Sequence, residues 1–375
     1  MIHPGDFFSA LEARGVSFFT GVPDSLLKDL CAYVTDHAPA ERHVIAANEG
    51  GAVGLAAGHH LATGRVPVVY MQNSGLGNTV NPVTSLADPE VYGIPMLLIV
   101  GWRGEPGVKD EPQHVKMGRI TPDVVTALGV EQAVLPDTMD EALPVLERAL
   151  SWARERSAPF ALLVRKGTFA KYKLQSAAPD VYPMTREHAI GLVATALPAD
   201  TLIVSTTGMP SRELFEQREL RGEPHDGDFL TVGSMGHTSQ IALGVALERP
   251  ERTVVCLDGD GAVLMHMGSL GMVGTLAPRN YRHIVVNNGA HDSVGGQPTV
   301  AFQVDLCAVA AACGYASTVR VSSEEELRDV LPGFVAGDGP GFLEIRVCKG
   351  ARSDLGRPTM TPRELKERFM ARARA

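Results

Sequence analysis

Two stretches of this 375-residue chain place glycines and oxygen-bearing side chains where metal-assisted chemistry needs them. Thr253 to Ala262 (TVVCLDGDGA) reads as a strand running into a Gly-rich turn, with a helix expected over Val263–Leu276. Such a turn presents backbone N–H groups and a helix N-terminus to a phosphate. A further strand ends at Asn287-Asn288-Gly289-Ala290, so Asp260 and Asn288 stand at the carboxyl ends of two strands, the edge where open α/β sheets bind ligands. One carboxylate and one amide oxygen, with a main-chain carbonyl nearby, make a hard oxygen site. That suits Mg2+, which keeps positions open for diphosphate oxygens and water. A dinucleotide fingerprint would need a third glycine where Leu264 stands.

Other residues have a chemical and a structural reading side by side. Glu49 lies where the strand His43–Asn48 meets a helix opened by Gly50-Gly51 and continued by the small residues of Ala52–Leu61. A carboxylate there either complements the helix dipole or acts in proton transfer. Asp24 and Ser25, after the turn Gly21-Val22-Pro23, read equally as a helix cap. Met235, inside Gly233-Ser234-Met235-Gly236-His237 and before the apolar helix Ile241–Leu247, reads on its own as core packing. His59-His60 is a feature of a helix face.

The elements that position these residues alternate between short β-branched runs and helical patterns, the mark of parallel sheets covered by helices. Strands are expected at Val16–Thr20, His43–Asn48, Val66–Gln72, Met96–Trp102 and Ala161–Arg165, then at Leu202–Thr206, Thr253–Leu257, Arg282–Val286 and Phe342–Val347. These are too many for one compact sheet. The weakly periodic segment Ala170–Pro183 carries two prolines, which predicts one domain over 1–170, a linker over 171–183 and a second domain over 184–375. The halves resemble each other. Thr20-Gly21-Val22-Pro23 recurs as Thr207-Gly208-Met209-Pro210, Asn73-Ser74-Gly75 aligns with Gly259-Asp260-Gly261, and Val100-Gly101 with Asn288-Gly289, all at nearly one spacing. The expected fold class is therefore α/β, two similar doubly wound, mostly parallel-sheet domains without a middle domain.

A net charge of −9 disfavours nucleic acid or anionic membrane as partner, because both call for a basic surface. No apolar run approaches the roughly 18 residues of a membrane span, and the N-terminus lacks an export signal, so a soluble cytoplasmic protein is expected. The five cysteines form no C-x-x-C pair and sit in apolar patterns, which suggests reduced core residues.

The Gly259-Asp260-Gly261 turn and Asn287-Asn288, at their spacing, resemble the diphosphate-binding motif of the thiamine diphosphate enzymes. The resemblance implies thiamine diphosphate and Mg2+ as cofactors. Asp260, Asn288 and the Ala290 carbonyl would be the metal ligands, with Gly259, Gly261 and Ala262 lining the diphosphate. Glu49 would be the activating acid beside the aminopyrimidine, near Gly75. Met235, flanked by Gly233 and Ser234, would wedge between the cofactor's rings. Gly21 to Ser25, Asn73 to Asn78, Asn81 to Leu86, Asp110 to His114 with Met117-Gly118, and Asn287 to Thr299 are similar to the compact two-domain branch acting on phosphonopyruvate or sulfopyruvate. By the same resemblance Asp24 and His291 are candidates for proton transfer. Ser25, Lys28, Gln113, His114, His291 and Gln297 are candidate donors to the substrate's second anionic group. The loop Asp110–His114 and the fusion of both domains favour the phosphonate. A homodimer or higher homo-oligomer with shared active sites is implied as well. A non-catalytic nucleotide-binding or regulatory module is the alternative of another class.

Overall fold

The computed structural model describes residues 1–176 and 179–375, so part of the expected linker 171–183 lies outside the described residues. The chain divides into two compact units, one of Met1–Ala177 with His291–Pro298, the other of Ala178–Ala290 with Thr299–Ala375. The excursion of His291–Pro298 differs from the contiguous second domain read from the sequence. Its anchor within the first unit is Gln297, fully buried, whose Nε2 reaches the Lys28 carbonyl at 3.5 Å.

Among the described residues, the first unit has six strands: β1 Phe19–Gly21, β2 His43–Ile45, β3 Val68–Gln72, β4 Met96–Gly101, β5 Glu131–Val134 and β6 Pro159–Val164. They form one sheet in the order β2-β1-β3-β4-β6-β5, every pairing parallel. The second unit holds β7 Leu202–Ser205, β8 Asp228–Leu230, β9 Val254–Gly259, β10 Tyr281–Asn287, β11 Ser317–Val321 and β12 Gly341–Arg346. Their order is β11-β12-β10-β9-β7-β8, again all parallel. Read from the opposite edge this is the order of the first sheet, strand for strand. The three sequence echoes accordingly fall at equivalent strand ends: after β1 and β7, after β3 and β9, and after β4 and β10.

The inner strands β4, β6 and β10 are buried from end to end, as expected of strands covered on both faces. Apolar residues on the two faces of each sheet form separate clusters, Phe7, Leu11, Ile99 and Leu162 on one face of the first and Met71, Leu98 and Val100 on the other. Three strands escaped the sequence reading, β5, β8 and β11, and all are edge strands. β5 is half-buried throughout and β11 mostly outside the core, so neither shows the apolar run that marks an inner strand. The helix expected over Val263–Leu276 is two, Asp260–Met265 and Ser269–Leu276. His266 leaves the helical region (φ −133°, ψ 48°), and its imidazole fills the space that a Cβ at Gly236 would need. Cys31 and Cys256 are buried, whereas Cys307, Cys313 and Cys348 are half-buried instead of core residues. No helix among the described residues is long and apolar enough to cross a membrane.

Candidate active site

Both sheets run outward from their first strand to the second and then cross back to the third. The carboxyl ends of β1/β3 and of β7/β9 are therefore topological switch points, where adjacent connections part and leave a crevice. The candidate residues gather at these two places, each described within its own unit.

In the first unit, Glu49 opens the helix Glu49–Thr63 and is 5% exposed. The cap itself is Asn48, whose Oδ1 accepts from the Gly50 N–H at 2.8 Å. The Glu49 carboxylate turns instead to Asn78, whose Nδ2 donates to Oε2 at 2.7 Å, and lies against Gly75, where any Cβ would overlap it. Burial raises its pKa, and the Asn78 bond opposes that rise. A buried carboxyl with a raised pKa, one oxygen fixed and the other beside a bare backbone, suits proton exchange better than charge–dipole capping.

Asp24 follows β1 and is fully buried. Its Oδ2 accepts from the N–H groups of Leu26 (2.8 Å) and Leu27 (3.2 Å), and a Cβ at Gly101, the last residue of β4, would overlap it. Burial pushes its pKa up to about 6 against those bonds and the nearby Arg103 charge. Ser25 is half-buried, Lys28 exposed and Gln113 half-buried with its Oε1 lacking a hydrogen-bond partner. His114 is buried, and burial with the Arg103 charge lowers its imidazole to about 4. His291 is likewise pushed down to about 4 by burial. Both rings are thus neutral near pH 7 and act as dipolar donors or acceptors, not as the cations an anion pocket seeks. Gln297, in the same segment as His291, keeps a buried Oε1 without a partner.

In the second unit, register aligns Gly259 with Val286, so Asp260 and Asn288 follow adjacent strands. Asp260 is buried at the first position of its helix, and its Oδ2 accepts from the Thr299 hydroxyl at 2.5 Å. Asn287 is structural: its Nδ2 donates to buried Glu344 at 2.8 Å. Asn288 Oδ1 accepts from the Ala290 N–H at 3.1 Å. The intervening Gly289 has φ +66°, and a Cβ there would strike the Phe302 ring. Gly261 and Ala262 occupy the first turn after Gly259. Gly233, Ser234 and Met235 lie in the loop before the helix Thr238–Glu248, with Met235 half-buried and Ser234 at φ +54°, a conformation a side chain adopts only under constraint.

Sequence reasoning missed Thr206 here. It directly follows β7 at the switch point; its Cγ2 lies 3.9 Å from where a Gly259 Cβ would be, and its buried Oγ1 has no hydrogen-bond partner. Such a hydroxyl costs about 1–3 kcal/mol unless a ligand satisfies it. The recurrence of Thr20-Gly21 as Thr207-Gly208 pointed to this turn without singling out the residue. An orphaned hydroxyl, a side-chain-free turn and two hard oxygen donors on adjacent strands fit a diphosphate held through Mg2+.

Residues 6–125 match the N-terminal TPP binding domain of thiamine pyrophosphate enzymes, and residues 214–345 match their C-terminal TPP binding domain. The chain is 41% identical to the phosphonopyruvate decarboxylase of Streptomyces viridochromogenes, an alignment covering 99% of this chain and 95% of that one. It belongs to the phosphonopyruvate decarboxylase family. A phosphonopyruvate decarboxylase of Streptomyces hygroscopicus is 39% identical, over 98% of this chain and 93% of its own. The sulfopyruvate decarboxylase of Methanosarcina acetivorans is 30% identical over 96% and 94%. For a member of this family, Glu49 and the Asp260–Asn288 pair stand on two different units, each at its own switch point.

Proposed function

We propose that this chain is a thiamine diphosphate- and Mg2+-dependent carboxy-lyase that converts 3-phosphonopyruvate to phosphonoacetaldehyde and CO2 in the cytoplasm, a step towards phosphonate natural products. The observation that carries the reading is the near full-length similarity to two phosphonopyruvate decarboxylases, at 41% and 39% identity. The buried acid Glu49 and the oxygen-donor turn at Asp260 support the same chemistry.

In this reading Asp260, Asn288 and the Ala290 carbonyl hold Mg2+, while Gly259, Gly261, Ala262 and Thr206 line the diphosphate. Gly233, Ser234 and Met235 support the cofactor's rings. Bound thiamine diphosphate supplies the electron sink for the pair left behind when CO2 departs. The protein's work is then proton handling and orientation. Burial raises the pKa of the Glu49 carboxyl and Asn78 steadies it, so it would exchange a proton with a ring nitrogen of the cofactor out of contact with bulk water. Asp24, poised near pH 6, supplies the proton that replaces the lost carboxylate, with His291 as second candidate.

The proposal extends to assembly as a homodimer or larger, the acid-bearing unit of one subunit serving the diphosphate turn of its partner. The helix Glu49–Thr63 offers an unusually bare surface for such a contact: Gly51, Gly54, Leu55, Gly58 and Leu61 are all exposed.

Turnover of phosphonopyruvate, sulfopyruvate and pyruvate, each followed by reduction of the released aldehyde, tests the activity. Phosphonopyruvate should lead in kcat/KM by at least about ten-fold, and chelation of Mg2+ should abolish the reaction reversibly. A lead for sulfopyruvate would move the assignment to the sulfonate. Adenine-nucleotide binding without any turnover would point to the non-catalytic alternative.

A further inference from the structure

The carboxyl end of β4 carries a cation that motif reading passes over. Arg103 is held first by its backbone: its N–H donates to Asn73 Oδ1 at 3.3 Å and its carbonyl accepts from Asn73 Nδ2 at 2.8 Å. Asn73 is itself fully buried and tied to the Thr121 hydroxyl at 2.9 Å. The guanidinium is held as firmly. Nε and Nη2 grip the Asp110 carboxylate at 2.8 and 2.5 Å, and Nη1 donates to Ser25 Oγ at 2.7 Å. Asp110 is braced in turn by the N–H groups of Gly104 and Glu111, both at 2.8 Å.

Three of the five N–H groups of a guanidinium are thereby used, which leaves one on each terminal nitrogen. The Arg103 side chain is only 18% exposed, so it has given up its rotamer freedom in advance of any ligand. A plain surface ion pair needs the Asp110 fork alone. The third bond turns the group towards Asp24 and Ser25, at the switch point where β1 ends.

Of its neighbours, Asp110 is already committed to it, and burial with the Arg103 charge lowers the His114 imidazole to about 4, so that ring brings no cation near pH 7. Asp24 sits close enough to feel the Arg103 charge, and a bound dianion would favour its protonated form. In a chain of net charge −9, this braced guanidinium keeps two N–H groups for an anion.

We propose that Arg103, with the Ser25 hydroxyl, binds the phosphonate of the substrate and sets the preference for a second anionic group over a methyl group, while Asp110 is a positioning residue that presents the guanidinium. The inference rests on the decarboxylase reading for its reaction and on the geometry of β4 for its residue.

Two measurements test it on the Mg2+- and thiamine diphosphate-loaded enzyme. In Arg103→Gln, kcat/KM for phosphonopyruvate should fall about ten- to hundred-fold, with pyruvate changed by less than about three-fold. Calorimetric titration with 3-phosphonopropionate, which lacks the reactive carbonyl, should weaken by the same factor as phosphonopyruvate. Arg103→Lys keeps the charge without the fork and should fall between; it carries the test if the glutamine variant does not fold. Asp110→Asn should lower the phosphonopyruvate to pyruvate ratio without altering thiamine diphosphate affinity. Equal losses on both 2-oxo acids, or unchanged 3-phosphonopropionate binding, overturn the assignment. A wild-type enzyme that binds 3-phosphonopropionate through Arg103 yet does not decarboxylate phosphonopyruvate would sink the proposed reaction and leave the anion site standing.

Discussion

At the scale of single residues, burial sets protonation, and protonation is where the candidate site does its work. Glu49→Gln preserves shape and the Asn78 contact but carries no exchangeable acid. It should fold and bind thiamine diphosphate normally, while hydrogen–deuterium exchange at the cofactor's thiazolium carbon, read by NMR after acid quench, slows by orders of magnitude. Normal exchange would return Glu49 to the role of a buried helix-start residue. Asp24 gives a prediction in stability. Its pKa is about 6 when folded and near 4 when unfolded, so the unfolded chain loses this proton first as pH rises. Stability from this group is present below about pH 4 and is lost through about pH 6. Asp24→Asn removes the effect, so the variant should gain on the wild type by about 3 kcal/mol between those limits. Urea titrations of both proteins at pH 4, 5, 6 and 7 measure the difference; a gap that does not change with pH would mean that Asp24 is not buried as described.

At the scale of elements, the second unit shows how a charged pair can fasten helices at a cost. Arg186, at the start of the helix Arg186–Ala196, and Glu213, in the helix Met209–Arg221, are both nearly inaccessible and joined by two bonds of 2.8 and 3.0 Å. Removing Arg186 takes both of these bonds from a buried carboxylate. Arg186→Met should therefore destabilise by about 3–5 kcal/mol, whereas the double change Arg186→Met with Glu213→Leu should recover most of that loss. Thermal melting of the three proteins gives the comparison, and a double variant no better than the single would show that the pair is not coupled. The elements also explain the site's layout. Asn48 takes the cap of its helix, so the Glu49 carboxylate is not needed there, and Asn287 takes the tie to Glu344, while Asn288 and Asp260 follow adjacent strands.

At the scale of the whole molecule, two sheets share one strand order, and each carries half of the candidate chemistry at the same switch point. Under the proposed assembly, the candidate acid of one copy serves the candidate diphosphate turn of another, which would make association between copies a functional matter. Gly54 is exposed, and a Cβ there meets nothing within 4 Å, so Gly54→Arg should leave the subunit folded while placing a bulky charge on the bare helix face. The expected result is a smaller particle by light scattering, with unchanged circular dichroism and with activity lost in proportion. An active enzyme of unchanged mass would show that this face is not the contact.

Much of this was legible in the residues themselves. Inner strands such as β4, β6 and β10 are continuous apolar runs because parallel strands are buried on both faces, and that pattern is local. The Gly-Asp-Gly turn, the Asn pair and the acid at a strand–helix junction are local too, as were the echoes between the halves. Of the four edge strands, β2 was legible but β5, β8 and β11 were hidden, because a strand that is only partly covered lacks the continuous apolar run of an inner strand. Thr206 and Arg103 were hidden for a related reason: a hydroxyl beside Gly259, or a guanidinium braced by Asn73, Asp110 and Ser25, is made by crossovers that bring distant segments together. His114 and His291 carry no sign of their neutrality in the sequence, because the cost of charging an imidazole depends on how much water the folded chain leaves around it. The chain's chemistry was thus written in short motifs, while the charge state of each group and the company it keeps were settled by tertiary burial.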